Sequence, residues 1–165
     1  MRLEVNIQMQ GVEELEAALD ALAKKAQNLA PVFHDLGNTL TQGIEESFDG
    51  ERSYDGTSWE ALKPSTLAYK QKHGGSKILQ SGESNLYESI AYNADSNSLT
   101  VGVNAYSDDG YPYPLVHQFG TTKAGRAKNT TIPERPFMPI DEDGNVYEEV
   151  KEELLELLEE YLSEF

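Results

Sequence analysis

The sequence predicts an α+β fold, in which a small, mainly antiparallel sheet has helices packed on one face. Three observations lead to this fold class. First, an N-terminal segment of alternating apolar and polar residues precedes two stretches with apolar residues at helical spacing. Second, two strand-like segments joined by turn residues follow. Third, an acidic stretch with an apolar stripe ends the chain. Helices and strands that occur in separate runs are typical of α+β proteins.

Hydrophobic periodicity defines the first three elements. Arg2 to Met9 alternates apolar and polar side chains, which is the period-2 pattern of a half-buried strand. From Val12 to about Gln27, apolar residues recur at helical spacing, and glutamates occupy the first turn, where the helix dipole favours anions. A second helix is predicted from Pro31 to about Phe48, because proline suits a first helical position and apolar residues then step by three or four.

The middle of the chain is predicted to contain a short helix and a hairpin. Gly, Asp and Ser make Asp49 to Gly56 a turn-forming stretch, and a short helix is expected from Ser65 to about Lys72. Leu86 to Tyr92 and Leu99 to Asn104 have the composition of strands, and the polar residues between them favour a turn. Gly102 inside the second strand indicates a bulge or a close contact.

Three further segments complete the predicted fold. Prolines limit ladder pairing before Leu115 to Phe119, so this segment is expected to be a short or edge strand of the sheet. Thr121 to Thr131 is predicted to be a polar loop. A long acidic helix is expected to begin near Asp141, and its apolar stripe requires cover from its own sheet or from another subunit. We expect a single domain over residues 1–165, with this helix over about 141–165 extending outward.

Composition argues against several classes of protein. The formal net charge of -16 disfavours autonomous binding of nucleic acid, which requires a basic face. The absence of cysteine excludes disulfides and thiolate metal sites. No apolar run of about 18 residues and no charged-then-apolar leader is present, so we expect a protein made in the cytosol, without a membrane span or signal peptide.

The charges are unevenly distributed. Residues 141–165 contain eleven acidic side chains and only Lys151 as a base, whereas Lys63 to Lys77 and Lys123 to Lys128 together contain seven basic residues. Two interpretations stay open. The charged segments are solvated faces that maintain solubility, or the basic segments bind acidic surfaces on other copies of the chain.

Motifs for catalysis and metal binding are weak. The three histidines are isolated in sequence, and no HExxH spacing is present. His117 with Ser81 or Ser89 could be drawn as a triad, but no G-x-S-x-G elbow surrounds either serine. The acidic segment that begins at Asp141 has its glycine, Gly144, at the wrong position for a calcium loop. We therefore predict no catalytic residue, cofactor or metal site.

Several short segments between Phe48 and Ile140 occur in an order that resembles the phage virion morphogenesis family, the Mu-like tail completion or neck proteins. The segments are Asp55-Gly56 with Trp59, Leu62-Lys63-Pro64-Ser65-Thr66-Leu67, Ile78-Leu79-Gln80-Ser81-Gly82, Leu86 with Ser89-Ile90, Val101-Gly102, His117-Gln118-Phe119-Gly120 and Ile132-Pro133-Glu134-Arg135-Pro136-Phe137. Each is a weak signal alone, and together they make a chance match improbable.

The resemblance implies a non-enzymatic structural protein of a tailed phage or prophage, found in the virion after assembly in the bacterial cytoplasm. It implies a homo-oligomeric ring at the neck, of about six copies with closed symmetry, that completes the tail and joins it to the DNA-filled head. The implied partners are a head-completion or connector protein and a tail terminator or tail tube protein. Two alternatives stay open: a tail terminator that caps the tube, and a soluble cytosolic hydrolase or binding module that shares the architecture.

Nine residues are predicted to form interfaces or to support them. Trp59 and Phe119 carry large apolar areas suited to a core or to a subunit interface. Arg135 stands between Glu134 and a proline, which aims its guanidinium either at a carboxylate of a neighbouring copy or at an intrachain partner. The full set comprises Trp59, His117, Gln118, Phe119, Lys123, Arg126, Lys128, Arg135 and Phe137.

Two expectations concern charge in the assembly. The basic residues of the loop from Thr121 to Thr131 are expected to order against a neighbouring subunit, the connector or the tail tube. The surplus carboxylates are expected to line the ring lumen in part, so that genomic DNA passes through without specific binding.

Overall fold

The computed structural model describes residues 12–80, 86–108, 110–111 and 113–163, and the predicted strand from Arg2 to Met9 lies outside them. The described residues form an α+β fold, as predicted. The helices are α1 (Val12–Gln27), α2 (Ala30–Gly50), α3 (Pro64–Lys72), α4 (Tyr113–Phe119) and α5 (Glu148–Ser163), and the strands are β1 (Ile90–Ala94), β2 (Leu99–Val103), β3 (Thr121–Ala124) and β4 (Thr130–Ile132).

Helix α2 is the central element of the fold. Its buried stripe runs from Val32 through Leu36, Leu40 and Ile44 to Phe48, which is the spacing of one helical face. A left-handed Glu51 ends the helix, and the backbone N–H of this residue donates to the carbonyl of Phe48. The stripe packs against the hairpin formed by β1 and β2.

The predicted hairpin is confirmed, but its first strand begins at Ile90 and not at Leu86, because Tyr87–Ser89 form a 3-10 helix. Strands β1 and β2 pair antiparallel in a continuous register from Ile90↔Val103 to Ala94↔Leu99. The Asp95 carboxylate closes the turn, because it accepts hydrogen bonds from the backbone N–H groups of Asn97 and Ser98. The bulge or close contact predicted at Gly102 is wrong, since this residue pairs regularly with Ala91 and a β-carbon there would have open space around it.

One glycine of α2 explains how closely this helix approaches the hairpin. A β-carbon at Gly37 would lie 2.5 Å from the ring of Tyr92 on β1. The absence of a side chain thus allows the tyrosine ring to lie on the helix backbone. The hydroxyl of the same tyrosine lies 3.3 Å from Nδ1 of His34 one turn earlier.

The hydrophobic core lies where α2 meets the segments on either side of the hairpin. Phe48 is at its centre, with ring centroids 5.6 Å from Trp59, 5.6 Å from Tyr87 and 5.1 Å from Phe137. The buried residues of this cluster are Ile44, Phe48, Trp59, Ile78, Leu86, Ala105 and Phe137. Burial of the large aromatic side chains supplies much of the apolar contact area.

The strand predicted at Leu115 to Phe119 is wrong, because these residues belong to helix α4. Pro114 is the second residue of that helix, where the missing N–H costs nothing because the first turn has no intrahelical acceptor for it. Pro114 and Gln118 are both buried and lie four residues apart on one face. The proline therefore begins a helix instead of limiting a strand.

The polar loop predicted from Thr121 to Thr131 is instead a hairpin. Strands β3 and β4 pair antiparallel, with Thr121 opposite Ile132 and Ala124 opposite Thr130, and a register shift lies between these pairs. The two hairpins form separate two-stranded sheets. The single sheet that was expected to include the Val116 region is therefore also wrong, since that region is helical.

Helix α5 begins at Glu148, seven residues later than Asp141, where the sequence placed its start. Asp141 instead closes a turn. Its carboxylate accepts hydrogen bonds from the side-chain amide of Asn145 and from the backbone N–H groups of Asp143 and Asn145. These bonds lower the pKa of Asp141, and the bond from the Asn145 side chain has the largest effect. Helix α5 packs against α2 and α1. Within the described ranges, none of the helices is long and apolar enough to cross a membrane.

Candidate interaction site

Gln118 connects α4 to the chain that follows the second hairpin. Its Nε2 donates to the carbonyls of Met138 (3.0 Å) and Ile140 (3.3 Å). Its Oε1 accepts from the backbone N–H groups of Phe137 (3.1 Å) and Met138 (3.0 Å). Gln118 is 2% exposed, so water cannot readily reach these backbone groups and take the place of the side chain as their hydrogen-bond partner. Gln118 thus holds residues 137–140 in place as a neighbouring strand would.

The aromatic candidates divide between core and surface. Phe137 and Trp59 are buried in the core, and the indole Nε1 of Trp59 donates to the carbonyl of Pro136 at 3.0 Å. Phe119 is only half-buried. Within the folded chain, Trp59 and Phe137 therefore have a structural role, and Phe119 keeps part of its ring available to solvent.

Gly120 sets the direction in which the second hairpin leaves α4. Its φ is +68°, and a β-carbon on it would lie 2.8 Å from the backbone nitrogen of Glu134. Only glycine fits this combination of a left-handed conformation and a close backbone. The hairpin consequently begins directly beside the Arg135 segment.

Arg135 has an intrachain partner, although not the carboxylate that the sequence suggested. Its Nε and Nη2 donate to the backbone carbonyl of Glu60 at 3.2 and 3.0 Å. Its backbone N–H donates to the carbonyl of His117 at 2.7 Å. The residue is 6% exposed, and burial lowers the pKa of the guanidinium, while the nearby Glu60 charge acts in the opposite direction.

His117 lies beside this arginine on α4. Its Nδ1 is buried and has no hydrogen-bond partner within the described part of the chain, and its ring contacts Tyr113 edge-on at a centroid distance of 6.1 Å. Burial lowers the pKa of the imidazole, and the positive charges of Arg135 and Lys70 lower it further. A neutral imidazole is therefore favoured in the free chain.

His117 and Arg135 line one cavity together with two lysines. We call it the cationic pocket and define it by Lys63, Lys70, His117 and Arg135; its volume is about 500 Å³. The Lys70 amine donates to the carbonyls of Lys77 (2.8 Å) and Gln80 (2.6 Å), and burial lowers its pKa. The sequence placed both lysines in the basic segment from Lys63 to Lys77 but gave no sign that they share a cavity with Arg135, which lies far along the chain.

The second hairpin extends the positive surface from this pocket. Residues 130–132 of β4 line the pocket, and the turn beyond them holds Arg126 and Lys128, with Lys123 on β3. All three side chains are exposed. We call these three residues the basic hairpin.

The exposed acidic side chains considered for assembly lie on a different element, helix α5. Helix α5 contains seven glutamates and one lysine, and its apolar stripe, which includes the buried Val150, faces α2. Glu149, Glu152, Glu156 and Glu159 are exposed and share the opposite face of the helix. The side chains that line the cationic pocket include none from α5.

The described ranges contain no cluster of three or more His, Asp or Glu side chains that could hold a metal ion. Of the two serines considered for a triad, Ser89 donates from Oγ to the carbonyl of Leu86, and Ser81 lies outside the described residues. His117 instead shares its cavity with a buried arginine and two lysines.

The lowered pKa of His117 predicts a pH dependence of stability. As the pH falls below about 6.5, the imidazole of the unfolded chain takes up a proton that folded His117 resists, so this residue destabilises the folded state progressively until its own lowered pKa is passed. We expect His117→Gln to lose less stability than the wild type between pH 7 and pH 5 in urea titrations, with exposed His34→Gln as the control for loss of a histidine. Equal losses in wild type and His117→Gln would contradict this reading.

Comparison with known proteins agrees with the resemblance predicted from the short segments. The phage virion morphogenesis family matches residues 10–163. The Mu-like prophage FluMu G protein 2 of Haemophilus influenzae is 27% identical over 151 residues, which cover 90% of this chain and 94% of that protein. The putative capsid assembly protein G of Escherichia phage Mu is 28% identical over 148 residues, or 87% of this chain and 88% of that protein.

No solved structure matches the chain significantly. The family match covers nearly the whole sequence, including α1, the core, the cationic pocket and α5. The chain belongs to the phage virion morphogenesis family and has a role in building the phage particle.

Proposed function

We propose that this chain forms a closed ring at the neck of a tailed phage or prophage virion, where it completes the tail and joins it to the DNA-filled head. Membership of the virion morphogenesis family supports a structural role, and the name of the phage Mu relative refers to capsid assembly. In this proposal the chain is not an enzyme and uses no cofactor.

The main observation that supports the proposed ring is the separation of charge between two surfaces of the chain. The basic hairpin and the cationic pocket lie together, and the glutamate face of α5 belongs to another element that packs on α1 and α2. Two different, complementary surfaces on one chain allow each copy to bind the next head to tail, and such heterologous contacts close into a ring when the rotation permits.

The same charge distribution supports the proposed relation to DNA. With a net charge of -16, a ring of this chain repels phosphates overall, so genomic DNA passes through the lumen without binding. In this proposal the partners on either side are a head-completion or connector protein and a tail terminator or tail tube protein. The exposed basic hairpin is the segment through which a copy contacts its neighbour or one of these partners.

Reversing the charge of the basic hairpin tests the proposal. Lys123→Glu/Arg126→Glu should leave the thermal unfolding curve nearly unchanged, because both side chains are exposed, but should prevent self-association and sharply reduce the yield of complete particles. Lys24→Glu/Lys72→Glu changes the net charge equally at exposed helical positions outside the basic hairpin and the pocket lining, and should retain self-association and particle yield. Normal self-association and particle yield in the hairpin variant would contradict the proposed role.

A further inference from the structure

The cationic pocket is a described cavity whose charged lining residues are mainly basic. It brings together a buried guanidinium, a buried imidazole nitrogen and two lysines, and Glu60 is its one acidic lining residue. We propose that the pocket of one copy binds a glutamate carboxylate from the exposed face of α5 on a neighbouring copy. This inference rests on the proposed ring and adds to it the identity of one contact.

Arg135 is the first reason to expect an anion in the pocket. Arg135 is 6% exposed, and within the described structure its guanidinium donates to a neutral group, the backbone carbonyl of Glu60. Among the described residues, the ion pairs join Lys77 to Asp49 and Lys151 to Glu148, and neither involves a pocket residue. Glu60 lies near the guanidinium but forms no ion pair with it, so the buried charge is only partly compensated, and a carboxylate from a partner would add compensation.

The donors in the pocket suit a carboxylate. A guanidinium has five N–H donors, and the hydrogen bonds to Glu60 use Nε and Nη2, which leaves the Nη1 hydrogens for another acceptor. Nδ1 of His117 is buried, so the guanidinium and the pocket lysines are the donors within reach of a carboxylate that enters from outside the folded chain. A carboxylate has two oxygens and can accept from more than one donor.

Charge complementarity identifies α5 of another copy as the source of the carboxylate. Exposed glutamates Glu149, Glu152, Glu156 and Glu159 form a continuous stripe on a helix that packs on its own chain through the opposite face. None of them lines the pocket of its own chain. The net charge of -16 disfavours the phosphates of nucleic acid as the occupant.

The absence of cysteine permits a clean test of this contact. Thr66 lines the pocket and is exposed, so Thr66→Cys chains can be mixed with Glu152→Cys chains and treated with a short bismaleimide. We expect cross-linked dimers that contain one copy of each variant. Thr66→Cys mixed with Asp20→Cys, which replaces an exposed acid on α1, should yield far fewer.

A second pair of variants tests the charge without disturbing buried groups. Thr66→Glu places a carboxylate at the pocket in the same chain and should weaken self-association roughly tenfold, the value expected when a hydrogen bond to a charged group is lost. In Thr66→Gln the new side chain has the shape of glutamate but no charge, so this variant should associate like the wild type. Sedimentation of the 165-residue chain measures the self-association of both variants.

The outcomes separate this inference from the proposed ring. Rings that form without the cross-link between positions 66 and 152, and that tolerate Thr66→Glu, would overturn the pocket contact while leaving the ring intact. Binding of inorganic phosphate or of an oligonucleotide to the pocket, without that cross-link, would also overturn the assignment to α5. Failure of the chain to self-associate at all would contradict both proposals.

Discussion

Replacing Gln118 by methionine is expected to destabilise the folded chain by about 3 to 5 kcal/mol, because each buried polar group left without a partner costs about 1 to 3 kcal/mol. Methionine keeps a similar length but cannot replace the two donated and two accepted hydrogen bonds that Gln118 makes with residues 137–140. Those backbone groups are connected to Phe137 in the core, so the loss should affect the whole domain.

Urea unfolding followed by tryptophan fluorescence measures the effect, since Trp59 lies in the same core. Gln42→Met is the matched control, because Gln42 is exposed and, within the described part of the chain, its side chain donates to that of Glu46 one turn away. The control should change stability by no more than about 0.5 kcal/mol. An equally small change for Gln118→Met would show that the segment at 137–140 is held by other contacts.

Truncating Phe137 to alanine should cost about 3 to 5 kcal/mol, the usual range for a buried phenylalanine. The side chain is 1% exposed and its ring lies 5.1 Å from that of Phe48, so its removal leaves a cavity between α2 and the chain after β4. The same unfolding measurement applies.

Tyr106→Ala provides the control for loss of an aromatic side chain, because Tyr106 is 61% exposed. We expect it to change stability by about 0.5 kcal/mol or less. If Phe137→Ala were tolerated as well as Tyr106→Ala, Phe137 would not be a core residue in solution, and an interface role for it would need to be reconsidered.

Elements with a strong internal period were predictable from the sequence. The stripe of α2 and the polar turn between β1 and β2 carry their own signals, so the helix and hairpin were predicted within a few residues of their observed bounds. Helix α4 was not, because Pro114 is compatible with both an edge strand and a helix start. The start of α5 was placed too early, because Asp141 suits a helix N-terminus and a turn equally well.

The site was predictable only in part, because its geometry depends on tertiary contacts. The sequence indicated His117, Gln118 and Arg135 through the segments that resemble the family. The partners of Gln118 lie about 20 residues later, and the acceptor of Arg135 is a backbone carbonyl of Glu60, which no side-chain pattern reveals. Lys70 lines the same pocket as His117 although the two residues are far apart in the sequence, so no local motif could indicate that they meet.

In the proposed ring, the basic surface of one copy faces α5 of the next. Because the chain is strongly acidic, copies in any other orientation should repel one another.

Electron microscopy of particles assembled without this protein tests the central claim most directly. If the chain joins the tail to the head, its absence should leave DNA-filled heads and separate, unattached tails, and adding the purified wild-type chain should restore joined particles. Complete particles with heads and tails joined in the absence of the chain would contradict the proposed role at the neck.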